Sequence, residues 1–182
     1  MSAKRARSPG KRTSATPVDI AEKPLGFYGF TVRDVMIRKV VSTAPTATLA
    51  EAAATMSRRR VSGLPVLAEG GRLVGVLSQK DVVRVLHEKA GLSLPGGIFD
   101  LLLDVAATGD AGLLDRCRAV LERSPVRSAM TRPAQFAAPG TNIEEAIVRM
   151  TSGRINRLPV VEHGKVVGIV TRHDLLTGRP PE

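Results

Sequence analysis

The sequence is poor in the residues that crosslink a chain, stack on bases or cross a membrane. It has one cysteine, no tryptophan, one tyrosine and four phenylalanines among 182 residues. A single cysteine excludes an intramolecular disulfide and fits a reducing compartment, so we expect a cytoplasmic protein. Few aromatic side chains are available to stack single-stranded bases, and no run reaches the roughly 18 apolar residues of a membrane span. We therefore expect an aliphatic core and no membrane partner.

Acidic residues are also scarce relative to basic ones. The chain has 27 Lys and Arg against 17 Asp and Glu, a formal net charge of +10. Part of this excess lies in residues 1–24, which have too few apolar groups to offset the entropy of ordering and are predicted to be a disordered basic tail. An organellar transit peptide is the alternative for residues 1–18, which lack acidic residues and are rich in Arg, Ser, Thr and Ala. The charge in the remainder has two interpretations: it keeps the protein soluble, or it attracts an anionic partner such as nucleotide phosphate, nucleic acid or a membrane surface.

Most of the chain consists of one sequence pattern that occurs twice. Four pairs of residues are 94 positions apart: Met36/Met130, Pro45/Pro139, Met56/Met150 and Pro65/Pro159. Two further pairs, Gly75/Gly168 and Asp81/Asp174, are 93 positions apart. A repeat at fixed spacing indicates two copies of one supersecondary unit that pack on each other. Any site built by one copy should therefore have a pseudo-symmetric counterpart.

Each copy has the same predicted order of elements, β-α-β-β-α. The capping-box patterns Thr48-x-x-Glu51 and Asn142-x-x-Glu145 begin the first helix of each copy. A short strand, a glycine turn and an apolar strand follow, and Ser78 begins a second helix. The predicted fold class is α+β, with two repeats packed pseudo-symmetrically and extra helices between them.

The composition divides the chain into five segments: a basic tail (1–24), an aromatic anchor (25–30), repeat one (31–90), an inserted helical linker (91–125) and repeat two (126–178). The linker shows two helical patterns, roughly residues 98–107 and 111–123. Cys117 occupies an apolar position of the second pattern, which predicts a buried small side chain and not a reactive thiol.

The paired Leu-Pro-Val segments and the paired Gly-x-hydrophobic-[Ser/Thr]-x-x-Asp segments resemble those of the tandem CBS-domain (Bateman module) family. The resemblance covers about residues 31–176, apart from the inserted helices. It implies an adenosine-ligand site in the cleft between the repeats. It also implies a role for each residue that matches the family pattern.

By this resemblance, Ser78 and Thr171 would contact a phosphate or ribose, and Asp81 and Asp174 would accept hydrogen bonds from ribose hydroxyls. Lys80 and His173 would lie near the phosphates. The segments before each Leu-Pro-Val would approach the ligand, and the backbone near the first strand of each copy would line the adenine pocket. The residues before Leu-Pro-Val are Ser62 and Gly63 in copy one and Asn156 and Arg157 in copy two. The residues that would line the adenine pocket are Thr43 and Ala137.

Physical chemistry supports these roles independently of the family. A hydroxyl at a helix N-terminus, beside unpaired backbone N–H groups, makes an anion site. Arg157 offers phosphate a planar fork where copy one has Gly63, so we expect the Asp174 site to bind more tightly. The alternative is purely structural, because Ser/Thr-x-x-Asp is also a good helix cap.

We interpret the chain as a non-enzymatic sensor of an adenine nucleotide such as AMP, ADP or ATP, with no required cofactor and no metal. It would form a homodimer through apolar helix faces such as Met56, Val83 and Leu86, and signal to an unknown regulated protein. Two alternatives remain: a nucleic-acid-associated protein that uses its basic tail, and a structural dimerisation module with vestigial sites. Arg58, Arg59 and Arg60 are interpreted as charges that complement the C-terminal end of a helix, with phosphate binding as the alternative.

Overall fold

The computed structural model describes residues 29–91 and 111–177. The basic tail, most of the anchor segment and the first predicted linker helix lie outside these ranges. Six helices are described: α1 Val32–Val35, α2 Leu49–Arg59, α3 Gln79–Ala90, α4 Ala111–Arg123, α5 Ile143–Ser152 and α6 Arg172–Thr177. Four strands are described: β1 Gly63–Leu67, β2 Leu73–Ser78, β3 Arg157–Glu162 and β4 Lys165–Thr171. The α+β prediction is confirmed, and so are both repeats.

The strands form two antiparallel pairs, one in each repeat. Pro65 of β1 lies opposite Val76 of β2, and Pro159 of β3 lies opposite Ile169 of β4. The first strand predicted for each repeat is reduced to one parallel bridge, from Thr43 to Val66 and from Ala137 to Val160. The two short sheets therefore carry the same topology.

The helix starts follow the predicted caps with one difference. The backbone N–H of Glu51 donates to Thr48 Oγ1 at 3.1 Å, and the backbone N–H of Thr48 donates to Glu51 Oε2 at 2.8 Å. At the equivalent position in repeat two, the Asn142 side chain makes no capping hydrogen bond, although α5 begins directly after it. Two carboxylates in the first turn of α5 interact favourably with the helix dipole instead.

The segment that leads into each repeat packs on the other repeat. Val32, Val35 and Met36 lie in the core of repeat two, with Leu158, Val160 and Val170 among their neighbours. Val126, Ala129 and Met130 lie in the core of repeat one, with Leu64, Val66 and Leu77. The two repeats are therefore interlocked, and neither has a complete core without the lead-in segment of its twin.

Backbone pairing strengthens the interlock. Ile37 and Ile169 exchange backbone hydrogen bonds of 2.8 and 3.0 Å, and Thr131 and Val76 exchange bonds of 2.9 and 3.3 Å. Each lead-in segment thus adds an edge to the sheet of the opposite repeat.

The interlock explains why the two copies share a methionine and a glycine. A Cβ atom on Gly168 would lie 2.6 Å from Met36 Sδ, and one on Gly75 would lie 2.6 Å from Met130 Sδ. Each glycine leaves room for the methionine that crosses over from the other repeat.

Helix α4 covers the helical face of repeat one. It packs against α2 and α3, and its Leu113 and Cys117 form a small cluster with Ala90 of α3. Cys117 is buried as predicted, and this burial raises the pKa of its thiol.

The same helix changes the basis of the predicted homodimer. Met56 is 2% exposed, and Leu86 packs partly buried against the cluster that contains Leu113 and Cys117. Met56 is therefore buried within the chain and its predicted part in a dimer face is wrong, whereas Val83 and Leu86 are half-buried. The homodimer itself stays a prediction.

Among the described helices, none is both long and apolar enough to cross a membrane.

Candidate functional site

A cavity of about 380 Å³ lies where the two repeats meet. Three parts of the chain line it: the β2–α3 junction with Ser62, the lead-in segment of repeat two, and the turn from α5 to β3. We name it the Asp81 cavity. Its lining residues are Ser62, Val76, Ser78, Gln79, Lys80, Asp81, Thr131, Pro133, Ala134, Gln135, Gly153, Arg154, Ile155, Asn156 and Arg157.

Asp81 is both a helix cap and a wall of this cavity. Its Oδ2 atom accepts hydrogen bonds from the backbone N–H of Ser78 at 2.8 Å and from Ser78 Oγ at 2.6 Å. The structural alternative is therefore real: the Ser-x-x-Asp segment does cap α3. The second oxygen is less engaged, because Oδ1 lies 3.5 Å from Thr131 Oγ1 and 3.5 Å from Arg84 Nη2. At these lengths the contacts are weak, so Oδ1 keeps capacity to accept hydrogen bonds from a ligand.

Arg157 reaches from β3 into repeat one. Its Nη1 donates to the carbonyl oxygen of Gly63 at 2.7 Å, and its Nη2 donates to Ser62 Oγ. Gly63 is buried beneath it, since a Cβ atom there would lie 3.2 Å from the guanidinium carbon. Desolvation lowers the pKa of Arg157, and the ordinary pKa is high enough that the group stays charged. Arg157 lines cavities on both sides, so it does not belong to the Asp174 copy alone as expected.

Asp174 repeats the cap of Asp81. Its Oδ2 atom accepts hydrogen bonds from the backbone N–H of Thr171 at 2.7 Å and from Thr171 Oγ1 at 2.8 Å. Its Oδ1 atom has no hydrogen-bond partner among the described residues. Asp174 does not line either of the two cavities found on this side of the molecule.

These two cavities are more open counterparts of the Asp81 cavity. The first, the Thr171 cavity, has about 490 Å³ and is lined by Arg60, Val61, Ser62, Asn156, Arg157, Thr171, Arg172, His173 and Leu176. The second, the Lys39 cavity, has about 630 Å³ and is lined by Lys39, Val40, Val41, Ser42, Thr55, Arg58 and Arg59. Most residues of the Asp81 cavity have their repeat-related partner in one of these two. The residues that form one cavity around Asp81 thus have counterparts that form two separate cavities on the Asp174 side.

The predicted site residues fall into three groups. Ser78, Lys80, Asp81, Asn156 and Arg157 come together in the Asp81 cavity. Asn156 and Arg157 also line the Thr171 cavity, where Thr171 and His173 join them.

Four predicted residues line none of the three cavities: Asp174 lies in helix α6, Gly63 lies in β1, and Thr43 and Ala137 lie at the edges of the sheets. Thr43 donates its backbone N–H to Pro65 at 3.1 Å, and Ala137 is 0% exposed and donates to Pro159 at 3.0 Å. Both are sheet-bridge residues outside the three cavities, so a direct part in the adenine pocket stays a prediction.

Sequence reasoning missed the lead-in residues and Arg154. Pro133, Ala134 and Gln135 reach the cavity because their segment crosses to repeat one. Arg154 and its repeat-related partner Arg60 both have a positive φ, 49° and 53°, in the left-handed region that such residues rarely adopt. Each lines a cavity, and strained backbone often marks functional positions. The available signal was the 94-residue spacing of this arginine pair.

The three cavities are cationic. Among the residues that the structure describes, Asp81 is the sole carboxylate that lines them, against Lys80, Arg154 and Arg157 in its own cavity. Within residues 29–91 and 111–177, no three His, Cys, Asp or Glu side chains lie close enough to hold a metal ion. The chemistry of the lining therefore suits an anionic ligand that also carries hydroxyl groups.

Comparison with known proteins gives a consistent result. The family model for the CBS domain matches residues 32–88 and 126–179. Protein MJ1426 of Methanocaldococcus jannaschii is 36% identical over 125 residues, which cover 65% of this chain and 73% of MJ1426. Some relatives are longer, and the chain spans only 25% and 41% of the length of two of them.

Solved structures share the fold. The CBS domain of a CBS-domain-containing membrane protein from Sphaerobacter thermophilus has a TM-score of 0.64 and 29% identity, covering 81% of this chain and 86% of that one. CBSX2 in complex with AMP has a TM-score of 0.60 and 25% identity, covering 82% of this chain and 96% of that one.

Proposed function

Because the chain belongs to the CBS-domain family, with two copies of the domain, we propose that it is a non-enzymatic regulatory module that binds an adenine nucleotide between its repeats. AMP, ADP and ATP share the adenosine that the proposed site would recognise. The nucleotide would be a regulatory ligand and not a required cofactor. A regulated protein or a second copy of the chain would respond to its binding.

The observation that carries this proposal is the lining of the Asp81 cavity. Asp81 Oδ1 offers a carboxylate oxygen to the vicinal hydroxyls of a ribose. Lys80 and Arg154 offer cations to a phosphate, while Val76 and Ile155 offer apolar surface to a base. A volume of about 380 Å³ lies within the usual range for small-molecule sites. A nucleotide needs these three kinds of contact together.

The relatives support the choice of ligand. CBSX2, which has the same fold and 25% identity over most of both chains, was crystallised in complex with AMP. We therefore take AMP as the first ligand to test.

A regulatory role is supported by the position of the cavity between the repeats. Residues from repeat one, from repeat two and from the lead-in segment of repeat two line the same space. A ligand that contacts all three favours the arrangement in which they converge. Coupling free energies of this kind are typically about 1–3 kcal/mol, enough to alter the affinity of a partner.

Thermal unfolding tests the proposed ligand class. AMP at about 100 times its dissociation constant should raise the free energy of unfolding by about 2.7 kcal/mol, which shifts the melting temperature of a chain of this size by about 5–10 °C. Inorganic phosphate at the same concentration should produce no comparable shift, because it lacks the ribose and the base. The proposal fails if AMP, ADP and ATP all leave the melting temperature unchanged.

A further inference from the structure

Asp81 contacts repeat two as well as its own helix. Arg84 lies one turn further along α3, and its Nη2 atom is 3.5 Å from Asp81 Oδ1. The same Nη2 donates to the backbone carbonyl oxygen of Ala129 at 3.0 Å, and Thr131 Oγ1 lies 3.5 Å from Oδ1. Ala129 and Thr131 both belong to the lead-in segment of repeat two. One guanidinium group therefore joins the proposed ribose acceptor to the segment that forms another wall of the Asp81 cavity.

Copy two has neither of these contacts. The residue related to Arg84 by the 93-residue spacing is Thr177, and the residue related to Thr131 by the 94-residue spacing is Ile37. Thr177 Oγ1 donates to the carbonyl oxygen of His173 in its own helix at 3.0 Å, and the side chain of Ile37 is apolar.

The helix cap does not explain the contacts of copy one. Asp174 caps α6 through the same two hydrogen bonds to Oδ2 that Asp81 uses, without an arginine or a threonine at Oδ1. Arg84 and Thr131 are therefore additions to the copy whose aspartate lines a cavity.

From this asymmetry we propose that Arg84 is a positioning residue, which fixes Asp81 Oδ1 relative to the lead-in segment so that it can accept from a ribose hydroxyl. The two cap bonds hold Oδ2, whereas the position of Oδ1 depends on contacts of its own. An acceptor that is already fixed loses less conformational entropy when a ligand binds it. Arg84 lines none of the three cavities, so it acts through Asp81 and Ala129. This inference rests on the proposed function, because it concerns the ribose of the same nucleotide.

A purely structural role for Arg84 predicts a different result. An arginine that only ties α3 to the lead-in segment would, when lost, weaken every ligand of the cavity alike. A residue that positions Oδ1 affects only the ligands that have a ribose hydroxyl. The side chain of Arg84 is 49% exposed, so its replacement should leave the protein folded.

Arg84→Met tests the inference by calorimetric titration with AMP and with 2′,3′-dideoxyadenosine 5′-monophosphate, which lacks both ribose hydroxyls. The wild type should prefer AMP, because only AMP can donate to Oδ1. Arg84→Met should reduce this preference by about fivefold, the upper range for one partly exposed ion pair, and should bind the dideoxynucleotide within about twofold of the wild-type affinity. Arg84→Lys keeps a cation beside the carboxylate and should restore the preference to within about twofold of the wild type.

The matched control is Arg149→Met in α5. Arg149 Nη2 pairs with Glu145 at 2.6 Å, and its Nη1 donates to the backbone carbonyl oxygen of Phe136 at 2.8 Å. Its side chain is 42% exposed, and it lines none of the three cavities. The control thus removes the same charge and the same kinds of contact at a place remote from Asp81. Its preference for AMP should equal that of the wild type.

Three results with a wild type that binds AMP would overturn the inference and leave the proposed function standing. The first is an Arg84→Met variant that keeps the wild-type preference for AMP. The second is an equal weakening of both ligands in that variant, and the third is an equal loss of preference in Arg149→Met. A wild type that binds neither ligand would overturn the proposed function and this inference together.

Discussion

Asp81→Asn should weaken AMP binding by about 100-fold, or about 2.7 kcal/mol, because it replaces the charged acceptor of the ribose hydroxyls with a neutral one. The asparagine side chain keeps one oxygen that can accept a hydrogen bond from the backbone N–H of Ser78. In the wild type this N–H lies 2.8 Å from Asp81 Oδ2. Helix α3 should therefore stay capped and the protein folded. Calorimetric titration of AMP into the wild type and the variant measures the loss directly.

Asp34→Asn is the control for the capping explanation. Asp34 Oδ2 accepts from the backbone N–H and the hydroxyl of Thr31 at 2.7 and 2.8 Å, the same arrangement as at Asp81. The hydrogen bond from the Thr31 backbone, and to a smaller extent the one from its hydroxyl, lower the pKa of the Asp34 carboxyl. This cap therefore stays ionised at neutral pH. Asp34 lines none of the three cavities, and its variant should bind AMP normally. Wild-type AMP affinity in Asp81→Asn would leave Asp81 as a helix cap only.

Met36→Ala should lower the free energy of unfolding by about 2–5 kcal/mol, the usual cost of emptying a methionine site in a core. The unusual expectation is where the damage falls. Met36 precedes repeat one in the chain, yet it packs against Gly168 of β4 in repeat two. Hydrogen exchange should therefore accelerate most in β3 and β4.

Met130→Ala is the repeat-related control. Met130 precedes repeat two and packs against Gly75 of β2, so its loss should accelerate exchange most in β1 and β2. Hydrogen exchange should therefore accelerate mainly in β3 and β4 for Met36→Ala and mainly in β1 and β2 for Met130→Ala. Faster exchange confined to β1 and β2 in Met36→Ala would contradict the interlocked arrangement.

Much of the fold could be predicted from local sequence signals. The capping box at Thr48, the helix that begins after Ser78 and the buried Cys117 all follow from short-range patterns that the structure confirms. The helix predicted over residues 111–123 has the bounds that the structure gives. Each of these features depends on neighbours within a few residues of the chain.

The interlock could not be predicted in this way. Val32–Met36 and Val126–Met130 are nearly equivalent in their apolar pattern, so each lead-in segment matches the core of its own repeat as well as that of its twin. Only the three-dimensional arrangement distinguishes the two topologies. The sequence reveals that methionine and glycine are paired features of the copies, but not which methionine contacts which glycine.

The site was predictable to the same extent as the fold. The Ser78–Asp81 segment is local and was found, whereas Pro133–Gln135 reaches the Asp81 cavity through the interlock and was missed. Arg157 was assigned to one copy because it lies in that copy's sequence, yet its guanidinium bonds to Gly63 of the other. Residues that act across a pseudo-symmetric interface cannot be assigned to a site from the order of the chain.

A crystal structure of the protein with AMP tests most directly whether an adenine nucleotide occupies the cavity between the repeats. We expect AMP density in the Asp81 cavity, with a ribose hydroxyl donating to Asp81 Oδ1 and the phosphate beside Lys80 or Arg154. An Asp81 cavity without nucleotide at saturating AMP, or AMP bound only at a surface remote from both repeats, would contradict the proposed function.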